Sequence, residues 1–573
     1  MDSRNLILSV VLSIGVLLLW SIFIENPNRN ISNSIEPLTE ESEVNLSALD
    51  MQEVEEIEES LGLNSNSFKS LDNSLNETSR INIDTQSLLG SINLEGLRID
   101  DIVLKKYNET LDEESSNIRL LSPLDTKNGY EISFGWIKDK NANIETPTAQ
   151  TIWKLKSSKK ILNENSELEF EWSNNTGQIF KTSISIDEKY LFSIKQKIIN
   201  NSDSEIILNN ASKITRKTIP ELSGFFILHE GLLGVVAEKL ELIDYEELKE
   251  EKQTLNFESN NGWVGITDKY WLSALIPDQT NPFKAIFTYD EGYIAYFRSL
   301  NAQSVKPGEE IEVNSHIFTG AKEAKLIDGY KEKFNIYNFD LAIDWGWLYF
   351  LTKPLFYVVY FFSEISGNFG LAIIILTVIT RIVFFPLANW SFVSMAKMKM
   401  LQPEMTRLKE LHKDDRQQQQ QALMALYKKE KVNPISGCLP ILIQIPFFFA
   451  IYKMLFVSIE MRHAPFYGWI QDLAAKDPTS IFNLFGLIPW DPPSFMVIGV
   501  WPLLMGITMF IQQKLNPAPP DPIQAKIFMF FPLFITLLLA QFAAGLVIYW
   551  TTNNILSILQ QWVITRRTKV KTN

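Results

Sequence analysis

The chain is poor in the residues and motifs that carry most enzymatic chemistry. Cys438 is the one cysteine in 573 residues, so no internal disulfide can form. The four histidines, His229, His316, His412 and His463, stand far apart and show none of the close spacing of a metal site. No glycine-rich phosphate loop, nucleophile elbow or zinc-binding helix motif occurs. These absences argue against an ATPase or a protease, and neither a cofactor nor a metal is expected. No internal repeat is visible. Positive charge is also in deficit: 53 Lys and Arg stand against 67 Asp and Glu, a net charge of −14. That balance argues against a nucleic-acid partner for the chain as a whole.

What the chain does have is apolar surface, and that surface is segregated. Apolar residues make up 46% and aromatics 12%, yet the mean hydropathy is close to zero. The length is too great for one core, so several domains are expected. Leu6 to Ile24 is an uncharged stretch of 19 residues preceded by Arg4. Trp20, Phe23 and Glu25 stand where a signal peptide would place small residues for cleavage, so residues 1–25 read as an uncleaved transmembrane anchor. Residues 26–88 are rich in Ser, Asn and Glu, with ten acidic and no basic residues between Glu36 and Ser60, and read as a disordered acidic tether.

From about Leu89 to Glu323 the apolar period is two. Leu168, Phe170 and Trp172 alternate with Glu167, Glu169 and Glu171, while Phe192, Ile194 and Ile198 alternate with Ser193, Lys195 and Lys197. Asn200-Asn-Ser-Asp203 and Lys306-Pro-Gly308 supply turns, so residues 89–323 read as a mostly antiparallel, two-sheet β-sandwich. Residues 324–368 read as amphipathic helices, the second of them rich in Trp, Tyr and Phe and containing Lys353-Pro354. Residues 369–573 then carry apolar spans at about 369–387, 437–457, 495–512, 527–541 and 546–564.

Charge fixes the expected topology. The loop 391–436 carries nine Lys/Arg against five acids, and Arg566, Arg567, Lys569 and Lys571 follow the last span. If residues 345–362 spanned the membrane, both basic regions would lie outside, against the positive-inside rule. If they lie flat at an interface, both fall inside. The expected arrangement is six spans, both termini cytoplasmic and the β-domain outside.

One residue stands out within the spans. Arg381 lies in the run Gly370 to Leu387, about six apolar residues from its end, or roughly 9 Å at 1.5 Å per residue. A cation at such depth costs from about 3 to above 10 kcal/mol and is usually found facing a cavity. No acidic residue occupies the middle of another span, but Thr377, Thr380, Gln444, Thr551, Thr552 and Asn553 are polar and available. Inside the basic loop, 395–412 and 416–431 read as a cytoplasmic helical hairpin, with Met395, Met398, Leu401, Met405 and Leu408 at helical spacing. Exposed methionines there would suit a docking surface that adapts to many apolar partners. Pro440, Pro446, Pro502 and Pro532 interrupt three of the spans, as is tolerated where neighbours or water satisfy the freed carbonyls.

Several stretches resemble the YidC-type membrane protein insertases. They are Thr380-Arg-Ile-Val-Phe-Phe-Pro-Leu387, Ser394-Met-Ala-Lys-Met-Lys-Met-Leu-Gln-Pro403, and the long run from Ala425 through Lys-Val-Asn-Pro-Ile-Ser-Gly-Cys to Pro446. Pro532, Gly545 to Tyr549 and Gln560-Gln561 continue the likeness, and Phe226 to Gly231 with Gly262 to Pro277 resemble the Gram-negative outer domain. The resemblance implies a periplasmic β-supersandwich and a five-helix insertase core with a groove open to cytoplasm and lipid. It implies residence in the bacterial inner membrane, work alone or beside the Sec translocon, and insertion of nascent membrane proteins without enzymatic chemistry. Arg381 matches the groove arginine, and Gln444 and Trp550 fall at or near groove-lining positions. With Thr377, Thr380, Tyr549 and Thr551 they form the expected client groove; Met395, Met398, Met400, Met405 and Lys409 mark the hairpin surface. Two departures stand out. The outer hairpin reads Phe542-Ala-Ala-Gly545 where the family usually has Phe-Pro-small-Gly, and the tail after Ile564 is short, which implies weak contact with ribosomes or targeting factors. A small-molecule transporter and an envelope scaffold acting through the β-domain are the competing classes.

Overall fold

The computed structural model describes residues 68–572, apart from 113, 139–143, 221, 223–227, 252–253, 414, 431, 433–438, 491, 494–496 and 517–521. The expected anchor and the tether up to residue 67 lie outside the described residues. The chain divides into two compact units, Met1–Asp344 and Trp345–Asn573.

The first unit is built from two sheets of eleven and nine strands. The larger runs through Leu255–Ser259, Phe283–Tyr289, Tyr293–Ser299, Ile206–Arg216, Tyr130–Lys138, Arg98–Asn108, Leu88–Asn93, Arg80–Asp84 and Ile161–Leu162. The smaller is centred on Trp271–Ile276, Glu310–Ala321, Leu191–Asn200 and Gln178–Ile186. Pairing is antiparallel except where Arg80–Asp84 meets Ile161–Leu162. The expected alternation holds: Leu168, Phe170, Phe192, Ile194 and Ile198 are buried, while Lys195 points to solvent. The turn at Lys306-Pro-Gly308 joins two strands, with Gly308 at a φ of 77° that suits a residue lacking Cβ. Asn210 donates to Gln196 across the two sheets at 2.5 Å, which pairs two buried amides at the sandwich interior.

Two boundaries differ from the sequence reading. Residues 71–77 form helix α1 and Arg80–Asp84 a strand, where the tether had been expected to reach Leu88. Ile83 is fully buried there, and the strand's backbone bonds supply what its weak apolar content does not. At the other end, after helix α2 (Tyr245–Glu251), helix α3 (Ala324–Lys333) buries Ile327 and Tyr330, and a short helical turn buries Phe339. Phe339 lies edge-on to Trp263 at 5.4 Å and to Phe318 at 5.6 Å. The segment up to Asp344 therefore completes the β-unit's core.

The second unit is helical: α4 (Tyr349–Ser366), α5 (Phe369–Val383), α6 (Phe385–Met400), α7 (Gln402–Leu411), α8 (Arg416–Lys429), α9 (Leu439–Val457), α10 (Val500–Leu515), α11 (Pro522–Leu539) and α12 (Ala544–Thr572). Among the described residues no single helix is long and apolar enough to cross a membrane, but α5 and α6 together are, across a bend of 68°. The expected straight span 369–387 thus ends at Val383. Pro386 follows within the first turn of α6; it lacks an N–H and its ring excludes the carbonyl four residues earlier, which breaks the helix there. The hairpin's first arm is likewise two helices, interrupted at Leu401 before Pro403. Helix α10 starts at Val500, five residues later than expected, and α12 runs past Ile564 to Thr572.

Lipid-facing character is written on the surface of this unit. Phe528, Met529, Phe530, Leu533, Phe534 and Leu537 of α11 are all exposed, a contiguous apolar face that water would not tolerate. On α4, Leu355, Phe356 and Val359 are buried while Phe350, Phe361 and Ile365 are exposed, with Trp347 and Tyr349 exposed at its start.

Candidate functional site

Helix α5 starts at Asn368, whose side chain accepts from Leu371 N–H at 3.0 Å, and presents Gly370, Ile373, Leu376 and Thr377 inward. Its opposite face, with Val378 and Ile382, is exposed. Arg381 falls in its last turn, because the helix stops at Val383. The open carbonyls of a helix C-terminus favour a cation, which offsets part of the burial cost.

The guanidinium reaches α12. Nε donates to Asn553 Oδ1 at 2.8 Å and Nη2 to the Asn553 main-chain oxygen at 3.2 Å. Tyr549, one turn before Asn553, is buried, and its hydroxyl lies by Arg381 and within hydrogen-bonding reach of Gln444 on α9. Three helices thus bring Arg381, Gln444, Tyr549 and Asn553 together. The threonines behave differently. Thr377 and Thr551 are fully buried and donate to the carbonyls of Ile373 and Val547 at 2.7 and 2.8 Å; Thr380 donates to Thr377 O at 2.9 Å. Their hydroxyl protons are spent on their own helices, leaving only lone pairs toward a neighbour. Trp550 lies on the adjacent face of α12, edge-on to Phe448 at 4.6 Å and against the cluster of Met505, Leu539 and Val547.

That adjacent face holds a second polar seam. Asn554 donates to Thr508 of α10 at 3.3 Å, and Gln561 to Asn516 at 3.1 Å. Gln561 Oε1 and Gln560 Nε2 are buried with no partner among the described residues. Lys399 donates to the carbonyls of Lys514 and Leu515, both at 3.4 Å, and so caps the end of α10. The spacing Tyr549, Asn553, Ser557 is i, i+4, i+8, which could have singled out Asn553 from sequence; nothing in the pattern announces Lys399.

The methionine surface needs correction. Met395 is buried with Ala388, Phe392 and Ile564, and Met405 is buried with its sulfur 3.8 Å from the Tyr427 hydroxyl. They hold the helices together instead of offering themselves to a partner. Met398 is half-buried, Met400 is exposed, and the exposed Met424 of α8 joins it. The Lys409 carbonyl accepts from Gln419, closing the hairpin near its tip at 3.1 Å.

The family model described as 60Kd inner membrane protein matches residues 361–572, and the YidC periplasmic domain model matches residues 80–358. The chain belongs to the YidC family of membrane protein insertases. The membrane protein insertase YidC of Pelagibacter ubique is 50% identical over 573 residues, all of both chains. That of Methylobacterium nodulans is 44% identical, covering 100% of this chain and 96% of its own. A solved structure described as an active YidC insertase with its first transmembrane domain resolved is 17% identical, with a TM-score of 0.35, covering 84% of this chain and 91% of that one. The YidC family membership makes the chain a membrane protein that inserts membrane proteins, with a β-sandwich domain preceding a helical insertase region. The transporter and scaffold readings fall away.

Proposed function

We propose that Arg381, with Gln444, Tyr549 and Asn553, receives the polar outer segment of a nascent client within the membrane, and that Thr377, Thr380, Trp550 and Thr551 shape the wall beside it. A client's short acidic segment enters from the cytoplasm and gains charge-assisted hydrogen bonds from Arg381, which offset part of its desolvation. Its apolar helix meanwhile moves into lipid along the exposed face, and burial there drives release. No bond is made or broken. The β-unit lies in the periplasm, both termini lie in the cytoplasm, and α4 lies flat at the outer interface as part of a six-span arrangement. The cytoplasmic hairpin, where Met400 and Lys409 stand, receives the client first, and the chain works alone or beside the Sec translocon, with only weak ribosome or targeting-factor contact.

The observation that carries this reading is a half-buried arginine that no carboxylate neutralises: among the described residues Arg381 bonds only to the uncharged Asn553. The test is insertion in proteoliposomes of two clients that differ only in tail charge. Arg381→Ala should reduce insertion of the acidic-tailed client about tenfold or more, the scale of a charge-assisted bond, and leave the neutral-tailed one within about twofold. Equal effects on both would sink the proposal. Photocrosslinks from positions 377, 444 and 550 to a stalled client provide the second check.

A further inference from the structure

We propose that Asn553 is the positioning residue of the insertase: it holds Arg381 by the side edge of its guanidinium, without cancelling its charge, so that the end edge is presented to a carboxylate. The inference rests on the reading of Arg381 given above.

A guanidinium has five N–H donors in a planar fork. Nε and Nη2 form its side edge, and Nη1 and Nη2 its end edge. Asn553 occupies the side edge with two oxygens of one residue, Oδ1 at 2.8 Å from Nε and the main-chain oxygen at 3.2 Å from Nη2. Asn553 is itself buried, and its carbonyl also accepts from the Ser557 hydroxyl at 2.7 Å, which fixes the acceptor in place. No hydrogen bond engages Nη1 among the described residues. Three N–H groups therefore stay available, and two of them, one on Nη1 and one on Nη2, point along parallel lines. Two parallel N–H donors are the geometry that a carboxylate takes bidentately. The ligand class is accordingly a carboxylate, an Asp or Glu side chain of the client's outer segment, met end-on.

The residue type matters as much as the place. An aspartate at 553 would make the same two contacts but pair the cation, leaving little net charge to attract a client. An apolar residue would strand the Nε–H and let the side chain swing. An amide satisfies the donors and keeps the full positive charge, which explains how a cation is tolerated here with no acidic neighbour.

The experiment uses the full-length protein in proteoliposomes with the same acidic-tailed and neutral-tailed clients. Asn553→Asp should lower insertion of the acidic-tailed client about tenfold, and isosteric Asn553→Leu about three- to fivefold, with the neutral-tailed client within about twofold in both. In an Arg381→Ala background neither substitution should change the ratio between clients. If Arg381→Ala discriminates between the clients while both Asn553 variants match the parent, positioning by Asn553 is wrong and the Arg381 reading survives. If both Asn553 variants lose the two clients alike, Asn553 is structural and the proposal is overturned. If Arg381→Ala itself treats the clients alike, the underlying reading fails and this inference with it.

Discussion

Two cations drawn out of water, the half-buried Arg381 and the buried Lys213, are handled in opposite ways. Arg381 was legible in the sequence as an energetic anomaly, because nothing else in its run is charged. Its depth was not legible, since the apolar run continues through Phe384, Phe385 and Pro386 while the helix does not. Placed in the last turn and bonded twice to Asn553, it keeps its charge. Arg381→Lys preserves charge but offers no planar fork, so it cannot satisfy both Asn553 oxygens and present a second parallel pair. Insertion of an acidic-tailed client by this variant should fall between parent and Arg381→Ala, about threefold below parent; insertion equal to that of Arg381→Ala would show that geometry alone matters. Lys213, in the β-unit, is the other case. It is buried, and burial draws its amine down to about 8 from an ordinary 10.5, while the Glu131 carboxylate pulls the other way. Between those two values the unfolded chain holds a proton that the native protein does not, so native stability rises with pH across that window. The gain is on the order of 3 kcal/mol. Lys213→Met should be more stable than the parent at pH 7 and should lack this rise, which denaturant titrations of the two proteins at pH 7, 9 and 10.5 would reveal as converging midpoints.

Local signals in this chain located helices well and their ends poorly. The period change after Thr319 and the apolar runs announced the helical unit, but helix ends are set by prolines and by distant caps. Helix α10 illustrates the distant kind. Asp477, buried in the loop before it, accepts from Trp501 N–H at 2.9 Å, Trp469 Nε1 at 3.1 Å, Thr479 N–H at 3.0 Å and Thr479 Oγ1 at 2.6 Å. Thr479 in turn accepts from Val500 N–H at 3.0 Å. A residue more than twenty positions away thus caps the helix and meets its positive end. A Cβ on Gly499 would lie 2.3 Å from the Asp477 carboxyl carbon, so the cap also demands glycine there. Asp477→Ala strands several buried donors and should cost about 2–3 kcal/mol, seen as a lower thermal midpoint in detergent. Gly499→Ala should lower the midpoint in the same direction; a double variant no worse than Asp477→Ala alone would confirm the shared mechanism. The turn Phe542-Ala-Ala-Gly545 is held by similar means. Its missing proline is offset by backbone bonds from Ala544 N–H to Ala475 O at 2.7 Å and from Gly545 N–H to Leu473 O at 3.0 Å.

The division into a β-unit and a helical unit was readable from the switch in apolar period, because periods of two and of 3.6 cannot be mistaken over such lengths. The position of the cut was not, because α3 is amphipathic and its sequence does not say which surface receives its apolar side. Ile327, Tyr330 and Phe339 are buried in the β-unit with Phe318 and Trp263 as neighbours. This difference decides how a shortened chain will behave. Removing residues 89–323 leaves those apolar side chains behind with nothing to cover them, along with the unpaired strand Arg80–Asp84, and exposed apolar surface beside a free strand edge drives association. Removing residues 68–342 takes the whole core away and leaves the chemistry around Arg381 intact. The longer deletion should therefore be monodisperse in detergent and insert the acidic-tailed client within about threefold of the parent, since a tether of any length changes loop entropy only slowly. The shorter deletion should aggregate. Loss of insertion in a monodisperse longer deletion would mean that the β-unit takes part in insertion itself, and the helical unit could no longer be regarded as the whole machine.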